Sequence, residues 1–251
     1  MLEIMNKQDA FGKFVLDGWK DHGKMYIIER NDGYLGINNR YGLYFSEYID
    51  WSNLDKKILK LVKGKILDVG CGSGRVTKYL QDEGFDVMAT DVSTGCIQVC
   101  KKQGITKTKV VGIEKLDRVF KKNSFDTILL LGHNFGLLPS IKKGRKILQI
   151  LDKITTDKGI IIGHTMNPTH KIETKNPIHK NYYKNNVLLG RLPGQMRMRV
   201  RYSIYKDPWY DYTFWREEDL RELIKGTNWQ IDLIEKEPEN SSYYVVLKKR
   251  R

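Results

Sequence analysis

Three glycines at alternate positions, Gly70, Gly72 and Gly74, constrain the fold of this chain more than any other feature of its sequence. They follow the apolar run 66–69 and precede a segment with helical spacing. Glycine is needed where the backbone takes a positive φ, or where a ligand must approach the main chain without meeting a Cβ. The pattern therefore predicts a strand, a tight turn and a helix. The turn is either purely structural or part of a nucleotide-type pocket at the end of the strand.

Short apolar segments alternate with amphipathic ones in the region that follows. Strands are predicted over 65–69, 86–90, 109–111, 126–131 and 159–163, and helices over 73–83, 93–103 and 141–155. Strands that are apolar throughout are typical of a parallel sheet covered by helices on both faces. The chain ends in a predicted helix, 217–224, and two strands, 229–234 and 243–247, that are too close for a helical crossover. The prediction is an α/β fold with a doubly wound, mostly parallel, Rossmann-like seven-stranded sheet ending in an antiparallel hairpin.

The length of 251 residues suits one large α/β domain with additions. Residues 1–55, which are rich in aromatic side chains, are predicted to form an N-terminal cap or lid. Residues 56–251 are predicted to form the main domain, with a basic insertion at about 166–213. Three cysteines argue against a disulfide framework, and no apolar run has the length of about 18 residues that a membrane span requires. A cytoplasmic protein that does not enter the membrane is expected, with Cys96 and Cys100 in its core.

Acidic residues near the glycines distinguish between two classes of cofactor. The dinucleotide pattern G-x-G-x-x-G fails because Arg75 stands at its third glycine position, and Asp68 would repel a diphosphate. A methionine moiety that carries a sulfonium and an ammonium group suits that carboxylate, which favours S-adenosylmethionine over NAD. Asp91, 21 residues after Gly70, is placed to accept hydrogen bonds from ribose hydroxyls. Its alternative role is to cap a helix that begins near Ser93.

The stretch 66–75 resembles motif I of the class I S-adenosylmethionine-dependent methyltransferases, and the resemblance extends over about 55–165 and 214–249. It implies the Rossmann-like fold, methyl transfer and S-adenosyl-L-methionine as the cofactor. At Ile113 the chain departs from the acid that many members carry near the adenine amine, so this side chain is expected to pack on the ring. The cofactor-binding residues implied by the resemblance are Asp68, Gly70, Cys71, Gly72, Gly74, Asp91, Val92, Ile113, Glu114, Leu131 and Gly132.

The loop after the fourth strand contains the candidates for chemistry. An imidazole with an ordinary pKa near 6.5 suits proton removal at neutral pH, so His133 is the candidate catalytic base; the alternative is a structural hydrogen bond. A base is not strictly required, because alignment of nucleophile, methyl and sulfur supplies much of the acceleration. Asn134, Tyr41 and Tyr44 are candidate substrate contacts, with turn capping and core packing as their alternatives.

The formal net charge of +14 is concentrated in one segment: residues 170–206 hold nine Lys or Arg and a single acid. Residues 195–202 alternate strictly, so as a strand they place Arg197, Arg199 and Arg201 on one face. That face is either solvated or recognises an anion, with Arg197 and Arg199 as candidate substrate contacts. The histidines have no metal-ligand spacing, and no metal is expected.

Three functions compete at this point. The first is methylation of an O, N or C atom of a small molecule, anionic if the arginines contact it. The second is methylation of RNA or DNA through the basic strand, for which binding would weaken steeply with salt. The third is a protein that binds S-adenosylmethionine without catalysis. The sequence favours the first and leaves the acceptor and the oligomeric state undetermined.

Overall fold

The computed structural model describes residues 7–21, 23–39, 41–170, 175–238 and 240–250. The helices are α1 (Ala10–Lys20), α2 (Tyr41–Phe45), α3 (Asn53–Leu59), α4 (Arg75–Asp82), α5 (Thr94–Lys102), α6 (Leu116–Val119), α7 (Ile141–Ile154), α8 (Pro177–Leu188) and α9 (Glu217–Ile224). The strands are β1 (Tyr26–Arg30), β2 (Leu35–Asn38), β3 (Ile66–Val69), β4 (Val87–Asp91), β5 (Thr108–Val110), β6 (Phe125–Leu130), β7 (Thr155–Met166), β8 (Gln195–Tyr202), β9 (Tyr205–Lys206), β10 (Tyr210–Thr213), β11 (Trp229–Lys236) and β12 (Ser242–Lys249).

The larger sheet has seven strands in the order β11-β12-β7-β6-β3-β4-β5. Strand β4 runs parallel to β5, and β6 runs parallel to β7. Strand β12 pairs antiparallel with both β7 and β11. Strand β3 is buried at all four positions, as expected for a strand covered on both faces. The predicted fold class, an α/β sheet that is mostly parallel and ends in an antiparallel hairpin, is confirmed.

Two element boundaries differ from the sequence-based prediction near the glycine turn. The helix predicted over 73–83 begins only at Arg75, because the left-handed backbone of Gly74 forms its N-cap. The strand predicted over 86–90 extends to Asp91, which is therefore the last residue of β4 and does not follow it.

The chain divides into two compact units, and the first comprises residues 1–56, 67–112 and 197–210. It holds most of a smaller sheet with the order β10-β8-β1-β2, in which β8 pairs antiparallel with β1. One face of β1 and β8 packs on an aromatic core that includes Phe14, Tyr26 and Tyr41. The aromatic N-terminal residues therefore build a core together with the basic strand of the insertion. Cys96 and Cys100 are also fully buried in this unit, as predicted.

Helix α1 meets the start of α5 at a pair of glycines. A Cβ on Gly95 would lie 2.5 Å from the carbonyl oxygen of Gly12, so side chains at this crossing would separate the helices. The carboxylate of Asp9 accepts the amide N–H of Gly12 at 3.1 Å and that of Gly95 at 3.0 Å. One side chain thus satisfies backbone donors at the N-termini of both helices.

The second unit comprises residues 57–66, 113–196 and 211–251. Its core contains the fully buried side chains of Trp215, Trp229 and Phe135. Helix α8 follows β7 and buries Tyr182 and Tyr183. Among the residues that the structure describes, no helix combines the length and apolar character needed to cross a bilayer.

Candidate functional site

The glycine turn between β3 and α4 takes the strained backbone that its sequence predicts. Gly70, Gly72 and Gly74 have φ values of 71°, 58° and 89°, in the left-handed region that other residues rarely adopt. A Cβ on Gly74 would lie 2.5 Å from Ile105 and 2.7 Å from Cys100, so this glycine is required for packing. A Cβ on Gly72 would meet no heavy atom of the described chain within 4 Å. The turn is therefore packed below Gly74 and open above Gly72.

Asp91 joins this turn to the following strand and helix. Its Oδ2 accepts the amide N–H of Gly72 at 3.0 Å, and its Oδ1 accepts that of Ser93 at 2.9 Å. The N-cap of α5 is Ser93 itself, whose hydroxyl accepts the amide of Cys96. Burial raises the pKa of the Asp91 carboxyl, although the two amides act in the opposite direction. A carboxylate offers about four acceptor positions, so Asp91 has the capacity to accept from a diol in addition to these amides.

A second buried acid lies on β3. Asp68 is 4% exposed, and one of its oxygens accepts the hydroxyl of Thr77 at 2.6 Å. Burial raises the pKa of its carboxyl to about 6, opposed by the Thr77 hydrogen bond and reinforced by repulsion from Asp91. Two buried carboxylates that repel each other favour a cationic ligand over an anionic one. The glycine turn therefore suits a sulfonium or ammonium group better than a diphosphate.

The segment around α2 contacts the same turn. The hydroxyl of Ser73 donates to the carbonyl of Tyr44, and a guanidinium nitrogen of Arg75 donates to the hydroxyl of Ser46 at 3.0 Å. The hydroxyl oxygen of Tyr44 lies 2.7 Å from that of Tyr26. The hydroxyl of Tyr41 donates to the carbonyl of Gly18. The hydroxyl groups of the two tyrosines predicted as substrate contacts are thus hydrogen-bonded to groups of the aromatic core.

Two other predicted cofactor residues of the first unit border the turn. The side chain of Val92, directly after Asp91, is 73% exposed, unusually so for a valine. Cys71 is half-buried, and its sulfur lies 3.7 Å from that of Cys100. The hydrogen bond with Cys100, and then burial, raise the pKa of the Cys71 thiol, which keeps it protonated. An exposed aliphatic side chain next to the acid predicted to bind ribose is suited to packing on a flat ring.

In the second unit, His133 occupies an unusual position after β6. Its φ is 70°, and the preceding Gly132 has a φ of 61°. Its amide donates to Nδ1 of His164 at 3.2 Å, its Nε2 lies 3.2 Å from the hydroxyl oxygen of Ser242, and its carbonyl accepts the hydroxyl of Tyr212. A left-handed backbone at a histidine costs free energy, so it persists only where the surrounding contacts hold it. Residues with such backbone conformations cluster at functional sites.

Aromatic rings hold the same histidine in place. The ring centroids of His133 and His164 are 4.3 Å apart, and His164 stacks on Tyr244 at 4.4 Å with an interplanar angle of 14°. Phe214 meets His133 edge-on at 5.8 Å. These partners come from β7, β12 and the segment after β10, and sequence reasoning did not identify them. Asn134 begins a 3-10 helix, Asn134–Leu137, directly beside His133.

The remaining predicted cofactor residues lie in the same unit. Ile113 is 6% exposed and begins a 3-10 helix, Ile113–Lys115, in which Glu114 is exposed. Leu131 is half-buried and Gly132 is exposed at the end of β6. Their roles toward an adenine ring stay predictions.

Two arginines of the basic strand β8 are paired with an acidic residue of the same sheet. Arg199 forms a bidentate ion pair with Glu29 of β1, with Nε–Oε2 and Nη2–Oε1 distances of 2.7 and 3.1 Å, and its guanidinium lies over Trp209. Arg201 also reaches Glu29, at 3.5 Å. The hydrogen bond from Arg199 lowers the pKa of the Glu29 carboxyl. Arg197 is exposed on the same strand, where Met198 and Val200 are buried, so the predicted alternation of faces is confirmed.

Comparison with known proteins identifies a methyltransferase domain in this chain. Residues 66–159 match the family model of a methyltransferase domain. A structure from Bacteroides fragilis, described as an S-adenosylmethionine-dependent methyltransferase in complex with S-adenosyl-L-homocysteine, superposes with a TM-score of 0.80 at 19% identity over 98% of this chain and 96% of that one. The chain therefore contains a methyltransferase domain at residues 66–159 and has the fold of an S-adenosylmethionine-dependent methyltransferase.

Relatives of this methyltransferase are distant in sequence. A ubiquinone biosynthesis O-methyltransferase from Rickettsia bellii is 24% identical over 230 residues, covering 90% of this chain and 82% of the relative. A glycine N-methyltransferase from Mus musculus is 27% identical over 140 residues, about half of each chain: 49% of this one and 48% of the relative. The family-model match ends at residue 159, before the insertion, whereas the alignment with the Bacteroides fragilis structure extends over 98% of this chain.

Proposed function

We propose that this methyltransferase transfers the methyl group of S-adenosyl-L-methionine to an oxygen, nitrogen or carbon atom of a small molecule. The observation that carries the proposal is the hydrogen bond between Asp91 and the open glycine turn at Gly72. Two named relatives, a ubiquinone biosynthesis O-methyltransferase and a glycine N-methyltransferase, support a small acceptor. The bidentate pairing of Arg199 with Glu29 further reduces the case for a phosphate-binding strand.

The proposed cofactor site follows from the chemistry of each group. Asp68 would face the cationic methionine end, Asp91 the ribose hydroxyls, and Val92 the adenine ring. The open space over Gly72 fits a ligand that approaches the main chain closely. The whole proposed set is Asp68, Gly70, Cys71, Gly72, Gly74, Asp91, Val92, Ile113, Glu114, Leu131 and Gly132. When bound, the cofactor supplies an electrophilic methyl group on a positively charged sulfur.

His133 is the proposed base. Its amide, its carbonyl and Nε2 of its ring all have hydrogen-bonding contacts, so its imidazole is held in one place. A fixed imidazole can accept the proton of an acceptor O–H or N–H as the methyl group arrives, a contribution of roughly 10²–10⁴-fold in enzymes of known mechanism. The remaining acceleration would come from alignment of the reacting atoms.

The acceptor contacts and the lid remain proposals. Tyr41, Tyr44, Asn134, Arg197 and Arg199 are the proposed contacts. Arg199 would bind an anionic acceptor only if the acceptor replaced Glu29 as its ion-pair partner. The tyrosines would contact the acceptor with their rings, because their hydroxyl groups are already hydrogen-bonded. The proposal that residues 1–55 act as a lid is supported by the hydrogen bonds of Ser73 and Arg75 to the segment around α2.

The test is transfer of a labelled methyl group. The purified chain is incubated with methyl-labelled S-adenosyl-L-methionine and separate small-molecule, RNA, DNA and protein fractions of a bacterial extract. Label in the small-molecule fraction alone is expected, and it should persist at 0.5 M salt, where binding to nucleic acid is weakened. Label only in nucleic acid would replace the proposal. Transfer to no fraction, with the cofactor still bound, would favour a non-catalytic binding protein.

A further inference from the structure

Helix α8 lies in the basic insertion and exposes apolar surface that the proposed function does not use. Its C-terminal turn presents three consecutive aliphatic side chains, Val187, Leu188 and Leu189, which are 56%, 75% and 67% exposed. Ile178, in the first turn of the helix, is 51% exposed. Single exposed aliphatic residues are ordinary on protein surfaces, but a contiguous group indicates a contact surface.

The exposed turn is held rigidly by the groups beneath it. The side-chain amide of Asn186, itself 3% exposed, donates to the carbonyls of Pro193 and Gln195 at 2.8 and 2.7 Å. The amide of Arg191 donates to the carbonyl of Asn186 at 2.8 Å. Tyr182 and Tyr183 of the same helix are buried and anchor it to the protein. The exposed aliphatic side chains are therefore carried on a backbone whose position is fixed.

Positive charge surrounds this apolar turn. Lys175, Lys180, Lys184 and Arg191 are exposed, and the sequence contains no Asp or Glu between Lys175 and Lys206. A second copy of the same surface would bring like charges together. Single-stranded RNA is bound by stacking of bases on exposed aromatic rings, and both tyrosines of α8 are buried. Cations beside exposed aliphatic residues fit an anionic lipid surface, where the aliphatic groups enter the interface and the cations meet headgroup phosphates.

We propose that residues 177–191 bind the surface of a bilayer that contains anionic lipids. Val187, Leu188 and Leu189 enter the interface, while Lys180, Lys184 and Arg191 pair with the headgroups. The C-terminal end of the helix meets the bilayer surface, and the helix does not cross it. Binding needs both parts, because apolar insertion and electrostatic attraction each supply only a share of the affinity.

The test is co-sedimentation of the full chain with vesicles. Vesicles of 60% phosphatidylcholine and 40% phosphatidylglycerol are compared with pure phosphatidylcholine at low salt. The expected result is binding to the anionic vesicles only. The double variant Leu188→Ser/Leu189→Ser should weaken that binding by about tenfold or more, and Lys180→Glu/Lys184→Glu should weaken it similarly.

Two matched controls exclude general effects of charge and surface polarity. Leu35→Ser/Ile37→Ser removes aliphatic side chains that are 54% and 72% exposed on β2. Lys142→Glu/Lys146→Glu makes the same charge change on the exposed side of α7. Both controls should bind the anionic vesicles as the unaltered chain does, and all variants should keep the same melting temperature.

Four outcomes would overturn the proposal. The first is that the unaltered chain does not bind the vesicles. The second is that the control variants lose as much vesicle binding as the α8 variants. The third is that the α8 variants keep their vesicle binding but lose binding to a poly(U) probe. The fourth is a dimer in sedimentation velocity that the Leu188→Ser/Leu189→Ser variant converts to a monomer, which would assign the surface to a second copy.

Discussion

The carboxylate of Asp91 accepts the amide N–H of Gly72 at 3.0 Å, although the two residues are 19 positions apart in the chain. The contact fixes the open side of the glycine turn against the end of β4. Asp91 thus orients the turn, and its carboxylate is also the group that we propose accepts hydrogen bonds from the ribose diol of the cofactor. Several expected outcomes depend on this arrangement.

Removal of the acid should cost cofactor affinity. We expect Asp91→Ala to weaken binding of S-adenosyl-L-methionine by about 10- to 100-fold, because hydrogen bonds to a charged group are lost. Isothermal titration calorimetry measures the change, and S-adenosyl-L-homocysteine should show the same loss because it carries the same ribose. Asp86→Ala is the matched control, since Asp86 is paired with Lys107 at an exposed site. Equal affinities of the Asp91 variant and the unaltered chain would refute the ribose assignment.

Cofactor affinity should depend on pH through Asp68. Its pKa of about 6 in the free protein should fall when a cationic ligand binds, so binding releases a proton. Affinity for S-adenosyl-L-methionine should therefore rise by about tenfold between pH 5 and pH 7. Asp68→Asn should flatten this dependence. A rise that persists in the variant would show that another group titrates.

The same acid should influence the pH dependence of stability in the opposite direction. Its folded pKa is raised above the ordinary value near 3.9, so folding favours the protonated carboxyl. The free-energy contribution is fully present below about pH 4 and is lost as the pH rises through about 6. Asp207, whose pKa burial also raises to about 6, adds a change of the same sign. Urea denaturation of Asp68→Asn at pH 4 and pH 7 should therefore show a smaller difference than in the unaltered chain.

Alanine substitutions at two glycines of the turn should have different effects, one on packing and the other on cofactor binding. Gly74→Ala should lower the free energy of unfolding by about 2–4 kcal/mol, because a Cβ there would overlap Ile105 and Cys100 in addition to straining the backbone. Gly72→Ala should cost only about 1 kcal/mol in stability but should weaken cofactor binding, because its Cβ would occupy the open side. Denaturation and calorimetry on both variants check the pair. If Gly72→Ala binds the cofactor normally, the ligand does not approach this glycine.

His133 should show a trade-off between stability and activity. Asparagine tolerates the left-handed backbone better than histidine, so His133→Asn should be at least as stable as the unaltered chain, while its rate of methyl transfer should fall at least tenfold. Thermal denaturation and labelled transfer measure the two quantities. His179→Asn on α8 is the control for loss of a histidine. A variant with unchanged rates at every pH from 6 to 9 would assign His133 a structural role.

Much of the regular structure could be predicted because it depends on local patterns. Helix α9 and strand β8 have the predicted bounds, since periodicities of 3.6 and 2 are encoded within each segment. The two acids and three glycines of the turn also follow from spacing within about 25 residues. The structure brings Asp91 and the turn together as the motif implied.

The parts that could not be predicted depend on distant pairings. Strand β1 pairs with β8, and the Glu29–Arg199 ion pair joins residues 170 positions apart. Strands β1 and β2 are short and carry no strong alternation, so the local pattern of β8 does not reveal which strands it pairs with in the smaller sheet. The partners of His133 likewise come from the far end of the chain: Ser242 lies 109 positions away. Contacts between side chains on neighbouring strands depend on the order of the strands in the sheet. The spacing of motifs along the sequence does not specify that order.

The double role of Asp9 has a consequence for how this enzyme opens. Because one carboxylate serves the beginnings of α1 and α5, neither helix can detach without leaving donors of the other unsatisfied. Excursions of the N-terminal segment should therefore be concerted with fraying beside Asp91, the acid proposed to bind ribose. Hydrogen–deuterium exchange would then record one shared event for both helices, and occupation of the pocket would slow the two together.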